Sequence, residues 1–83
     1  MIERLAQFLL TLSELHGTAE GDTIVINRKI THDQIAAMVG STRQWVTMML
    51  KRFKKNGIVS IDARYIRIDR PERLQEMLFK DAD

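Results

Sequence analysis

The chain has 83 residues, 45% of them hydrophobic and 29% charged, with a formal net charge of +2. That describes one small globular domain, and excludes both a disordered tail and a two-domain protein. It has no cysteine and only two histidines, His16 and His32, which rules out a disulfide scaffold, a thiol nucleophile and a thiolate or all-histidine zinc site. No apolar run approaches the roughly 18–20 residues that span a bilayer, so no membrane partner is expected. The start, Met1-Ile2-Glu3-Arg4, lacks the basic and then apolar pattern of a secretion signal, which makes the cytoplasm the expected compartment.

In chain order, Ile2, Leu5, Ala6, Leu9, Leu12 and Leu15 recur at spacings of three and four and predict an amphipathic helix over Ile2–His16, its stripe broadened by Phe8 and Leu10. Gly17 stops it, and residues 17–22 read as a loop. Ile24-Val25-Ile26 is a β-branched run expected to form one edge strand. Thr31-x-x-Gln34 is a capping-box pattern opening a second helix that buries Ile35, Ala36 and Val39 and ends at Gly40. A third helix runs to about Lys55 with Val46, Met49, Leu50 and Phe53 inward. Residues 58–61 and 65–68 alternate as a hairpin, and Asp69-Arg70-Pro71 opens a last helix, with Asp69 as capping acceptor. Lys80–Asp83 are expected to fray.

The charge is unevenly spread. Residues 28–67 hold nine basic and two acidic residues, a net +7, while the rest carries −5. A basic middle between acidic flanks suggests one face offered to a polyanion, although a solvated basic helix surface would look the same.

The two central helices carry the functional signal. Counting from His32, Ile35 and Ala36 fall fourth and fifth, Gly40 ninth, Val46 fifteenth and Met49 eighteenth. Ala36 is small where two helix axes approach, Gly40 supplies a positive φ, and the others fill the wedge between helices. This is helix-turn-helix spacing. The expected fold is mostly α with a small β-hairpin wing (α+β): a winged helix-turn-helix in the order α-β-α-α-β-β-α. It forms one domain over residues 1–83, with the helix-turn-helix at about 31–55 and the wing at about 58–68.

With Val46, Met49, Leu50 and Phe53 buried, the opposite face of the third helix presents Arg43, Gln44, Thr47, Met48 and Lys51. The base-reading candidates are Arg43, Gln44, Thr47 and Met48. Arg43 can bond guanine O6 and N7 together, or contact a phosphate. Gln44 can pair with adenine, or fold back in a Ser41-x-x-Gln44 capping box. The phosphate-contacting candidates are Thr31, His32, Ser41, Thr42, Lys51 and Arg64, of which Thr31 and Thr42 serve equally well as helix caps. Lys54 and Lys55 add only to the diffuse field. Asp62 would repel phosphate and must point away, and Trp45 either packs inward or touches the sugar-phosphate backbone.

Residues 30–36 (ITHDQIA), the stretch Gly40-Ser41-Thr42-Arg43-Gln44-x-Val46, Met49-Leu50-Lys51, residues 56–61 (NGIVSI) and the opening Glu3-Arg4-Leu5-Ala6 resemble the DNA-binding domain of the cyclic-AMP receptor protein and fumarate-nitrate regulator (CRP/FNR) family. The resemblance covers nearly the whole chain. It implies a bacterial, nucleoid-associated transcription regulator whose second helix-turn-helix helix enters the major groove of a palindromic double-stranded promoter site. It implies a homodimer in a full-length context, a monomer or weak dimer for this domain alone, and RNA polymerase as a further partner. The family's sensor barrel and long dimerisation helix are absent from these residues, so no cofactor is expected here and an effector would bind the sensor. In the family the arginine at the Arg43 slot reads guanine. Gln44 stands where many members have glutamate, and Met48 where several have a second arginine, which implies a half-site unlike the family's best-known one.

The residues also bear on two other functional classes. No nucleophile is paired with a base, and Gly17 and Gly21 do not make a phosphate loop, so an enzyme is not expected. A winged helix used as a protein-contact module would instead employ Trp45, Met48 and Met49 as an adhesive apolar patch.

Overall fold

A computed structural model describes residues 1–63 and 65–79. Arg64, expected at the wing tip, and Lys80–Asp83, expected to fray, lie outside the described residues. Helix α1 (Ile2–His16) buries Leu5, Ala6, Leu9, Leu10 and Leu12. Leu15, expected on the same stripe, is 70% exposed. At 100° per residue it falls about 120° round the helix from Leu9, on the flank of half-buried Phe8.

The segment after α1 departs from expectation. Gly17–Glu20 is a strand, β1, and not a loop; it pairs antiparallel with β2 (Thr23–Ile26) from Gly17↔Ile26 to Glu20↔Thr23. Thr18, Ala19 and Glu20 are all exposed and have no apolar alternation, so nothing in their pattern announces a strand. The hairpin is set instead by Gly21, whose φ of 62° suits a tight turn, and by Asn27. The Asn27 amide donates to His16 O at 2.7 Å, and its side chain donates to the Thr18 hydroxyl.

Helices α2 (His32–Val39) and α3 (Arg43–Lys55) follow, then the wing strands β3 (Val59–Asp62) and β4 (Tyr65–Ile68), and α4 (Pro71–Phe79). The wing pairs from Val59↔Ile68 to Asp62↔Tyr65, and β4 also pairs with β2 at Ile24↔Ile68 and Val25↔Arg67. The sheet order is therefore β1-β2-β4-β3. This places β2 in the sheet interior, not at its edge, because β1 covers its outer side. The expected winged helix-turn-helix stands with one strand added, as α-β-β-α-α-β-β-α. Pro71 opens α4 as expected, but the residue directly before it is Arg70, so Asp69 sits one place too early to cap. The Asp69 and Arg70 amides instead donate to Ile58 O at 2.8 and 3.1 Å.

One apolar cluster holds these elements together. Leu5 and Leu9 of α1 belong to one cluster with Ile26, Ile35, Leu50, Ile58, Ile68 and Leu74, all essentially inaccessible. Among the described residues no polar or charged one is buried, so the core rests on apolar burial and shape without internal ion pairs. Beside it, Gly17 is the most closely packed of the four glycines. Its φ of −94° is open to any residue, yet a Cβ there would lie 2.1 Å from Ser13 O and 2.6 Å from the Ile24 side chain. The sheet can lie this close to the end of α1 only because no side chain stands between them.

Gly21 makes the matched control, since a Cβ there meets nothing within 4 Å and only its φ is unfavourable. Gly17→Ala should lower the unfolding free energy by about 3 kcal/mol or more through overpacking. Gly21→Ala should cost about 1 kcal/mol. Urea unfolding followed by circular dichroism compares the two.

Candidate nucleic-acid interface

Thr31 starts α2 with a complete capping box: its hydroxyl accepts from the Gln34 amide at 3.1 Å, and its own amide donates to Gln34 Oε1 at 2.9 Å. Gly40 ends the helix at φ 74°, ψ 39°, a left-handed conformation that costs a side chain about 1–2 kcal/mol. The Ser41 amide then donates back to Ala36 O at 2.9 Å, and Thr42 begins α3 by accepting from the Trp45 amide at 3.1 Å. The cap of α3 is thus Thr42 and not Ser41, so Gln44 does not occupy the matching box position. Its side chain is exposed and makes no hydrogen bond within the described residues.

The inner wedge of the two helices is filled as the spacing predicts, with Ile35, Ala36, Val39, Val46 and Met49 all buried. The wedge fixes which side of α3 faces outward. Arg43, Gln44, Thr47, Met48 and Lys51 are exposed and together line one shallow surface depression. Helix α3 contains no acidic residue, and Arg43, Lys51, Arg52, Lys54 and Lys55 are all exposed along it. A helix with side chains is about 10–12 Å across, and the major groove of B-DNA is about 12 Å wide. The result is a helix of groove width with an exposed cationic face.

Two polar contacts tie this face to the first turn of α2. His32 Nδ1 lies 2.7 Å from Thr47 Oγ1. The Arg43 guanidinium lies 4.0 Å from the Asp33 carboxylate, with both side chains about 70% exposed (70% and 72%). At that exposure the ion pair contributes little and is readily screened or exchanged for another anion. Asp33 carried no functional reading in the sequence. Its signal is visible only once the turn at Gly40 folds α2 back beside α3.

The remaining candidates separate by location. Thr31 and Thr42 both cap helices; Thr31 and His32 line a second depression with Lys29, Ile30 and the wing residues Ile61 and Ile66. Half-buried Ser41 lies in the turn between the helices. Arg64 lies outside the described residues. Asp62 does not stand as a lone repulsive charge, because Arg67 sits 3.9 Å from it and 3.7 Å from Glu20, linking the outer strands across the sheet. Lys29 stands over the Tyr65 ring at 5.6 Å from its centre, joining the α2 approach to the wing. An adhesive patch of Trp45, Met48 and Met49 does not exist: Met49 is buried, Trp45 is half-buried against the core, and only Met48 is exposed.

The family model of the Crp-like helix-turn-helix domain matches residues 3–77. The chain belongs to that family. Among curated relatives, this Crp-like domain is 36% identical over 74 residues to the global nitrogen regulator of Nostoc sp., covering 89% of the chain and 33% of the relative. It is 32% identical over 71 residues to the CRP-like cAMP-activated global transcriptional regulator of Mycobacterium tuberculosis, covering 86% and 32%. Among solved structures it is similar to the CO-dependent transcription factor CooA from Carboxydothermus hydrogenoformans, with TM-score 0.83, 31% identity, and coverage of 93% of this chain and 36% of that one. A CRP/FNR-family transcriptional regulator from Thermus thermophilus gives TM-score 0.79 and 32% identity, with coverage of 94% and 40%. The Crp-like domain spans about a third of the length of the curated relatives it matches.

The caps give a direct check on the turn. Thr42→Ala should cost about 1 kcal/mol and lower the melting temperature by about 4–8 °C. Ser41→Ala should stay within about 0.5 kcal/mol of the parent. Thermal denaturation by circular dichroism distinguishes them.

Proposed function

We propose that this Crp-like domain binds double-stranded DNA sequence-specifically with α3 in the major groove, as the DNA-binding part of a transcription regulator. The observation that carries this reading is the single exposed face of α3, which groups Arg43, Gln44, Thr47, Met48 and Lys51 on an acid-free helix. In this reading Arg43 bonds the O6 and N7 edge of guanine, a contact worth about 1–3 kcal/mol of discrimination. Gln44 is available for adenine, Thr47 for a single polar contact, and Met48 for a thymine methyl. Lys51, with the hydroxyl and imidazole groups of Thr31, His32, Ser41 and Thr42, engages phosphates and fixes register. Arg64, which the sequence places between β3 and β4, is assigned the same role.

The target is a palindromic promoter site occupied by two copies, with RNA polymerase as a neighbouring partner. Any small-molecule signal is read outside this domain, in a sensor region of a longer protein. Neutralising about 4–6 phosphates per domain gives a slope of log affinity against log salt near −4 to −5. A domain of this size buries only about 600–1,000 Å² of its surface on DNA, so one copy binds weakly. Two copies held about 34 Å apart bind far more tightly.

Selection from a pool of random duplexes, with the chain alone and fused to a dimerising coiled coil, tests the reading. A recovered half-site, with tighter binding by the dimer, is expected. Affinity that is indifferent to salt, or equal for monomer and dimer, refutes it. On the selected site Arg43→Ala should remove preference at one base pair, while Lys51→Ala should weaken all sequences alike. Asp33→Asn, which removes the anion competing for Arg43, should raise affinity about two- to threefold at low salt, the gain fading as salt rises. Fluorescence anisotropy titrations at several salt concentrations read all three.

A further inference from the structure

The 2.7 Å contact between His32 Nδ1 and Thr47 Oγ1 crosses from the first turn of α2 to the outer face of α3. Thr47 lies among the side chains assigned to base reading. A hydroxyl has one proton to give and two lone pairs to offer, and a free one rotates to suit whatever it meets. Paired with Nδ1 it no longer has that freedom. If Nδ1 carries a proton, the imidazole donates to Oγ1 and the hydroxyl hydrogen is left to point outward. If Nδ1 is bare, the hydroxyl donates inward and only lone pairs face outward.

These two states suit different base edges. An outward donor matches guanine O6 and N7, thymine O4 or adenine N7, and an outward acceptor matches only the amino groups of adenine and cytosine. His32 is half-buried and lines one depression with Lys29, Ile30, Thr31 and the wing residues Ile61 and Ile66. We propose that His32 is a positioning residue for specificity: through Nδ1 it fixes the polarity of the Thr47 hydroxyl, and so sets base preference at one position that it does not touch. The inference rests on the DNA-binding reading given above and goes beyond a phosphate contact, which would use the other ring nitrogen.

Asparagine and glutamine separate the two uses of the ring. Asparagine places a hydrogen-bonding atom near the position of Nδ1, and glutamine places one near Nε2. Selection from the random duplex pool is run on the parent chain, His32→Asn, His32→Gln, Thr47→Val and the His32→Gln/Thr47→Val double variant, with circular dichroism checking that each is folded. His32→Asn should keep the parent preference. His32→Gln and Thr47→Val should change preference by about three- to tenfold at one and the same position, and the double variant no more than Thr47→Val alone. The positioning role is overturned if His32→Gln weakens all sequences alike with preference intact, or if the two single variants alter different positions. If the parent itself selects no sequence, the DNA-binding reading fails and this role with it.

Discussion

The structure depends on how closely α2 and α3 can cross. Ala36 keeps the approach narrow, Ile35 and Val39 fill one side of the wedge, Val46 and Met49 fill the other, and Gly40 turns the chain in a left-handed conformation. Apolar burial of this kind is strong but carries no direction of its own. Direction comes from periodicity: once one stripe of α3 is committed to the wedge, the residues half a turn away have only solvent to face. The exposure of Arg43, Gln44, Thr47, Met48 and Lys51 is thus a by-product of core packing. The candidate binding face is held out by the same contacts that fold the domain.

Polar groups then refine what the apolar wedge has placed. The first turn of α2 reaches across with His32 and Asp33, each beside a different side chain of α3. In the sheet, Arg67 draws together Glu20 and Asp62, so one of the nine positive charges of residues 28–67 is spent internally, beside the acid nearest the wing tip. Asp33 faces Arg43, while Lys51, Arg52, Lys54 and Lys55 make no ion pair among the described residues and leave a run of uncompensated charge along α3. Field strength at a polyanion depends on this distribution more than on the modest total of +2.

Much of this was legible in the sequence, for identifiable reasons. The capping box at Thr31, the positive φ at Gly40 and the three-four spacing in α3 are local rules with local causes, and the structure follows them. The face of α3 was readable because burial at Val46, Met49, Leu50 and Phe53 leaves one alternative. Strand β1 was not readable. Its residues obey no hydrophobic alternation, and it exists through pairing with β2 and the room left by Gly17. Leu15 misled because spacing alone does not say where a helix loses contact with its neighbours. The Asp33–Arg43 and His32–Thr47 contacts are ten and fifteen residues apart in the chain, and no sequence period links them.

The two outermost strands have a bearing on self-association. β1 and β3 are four residues each, and each ends in an acidic side chain, Glu20 and Asp62, leaning toward the shared Arg67. Short rims with charge at their tips are poor templates for adding a foreign strand. A second copy gains little by stitching itself onto this backbone ladder. Any self-association of this domain would therefore have to use other parts of its surface than these two edges.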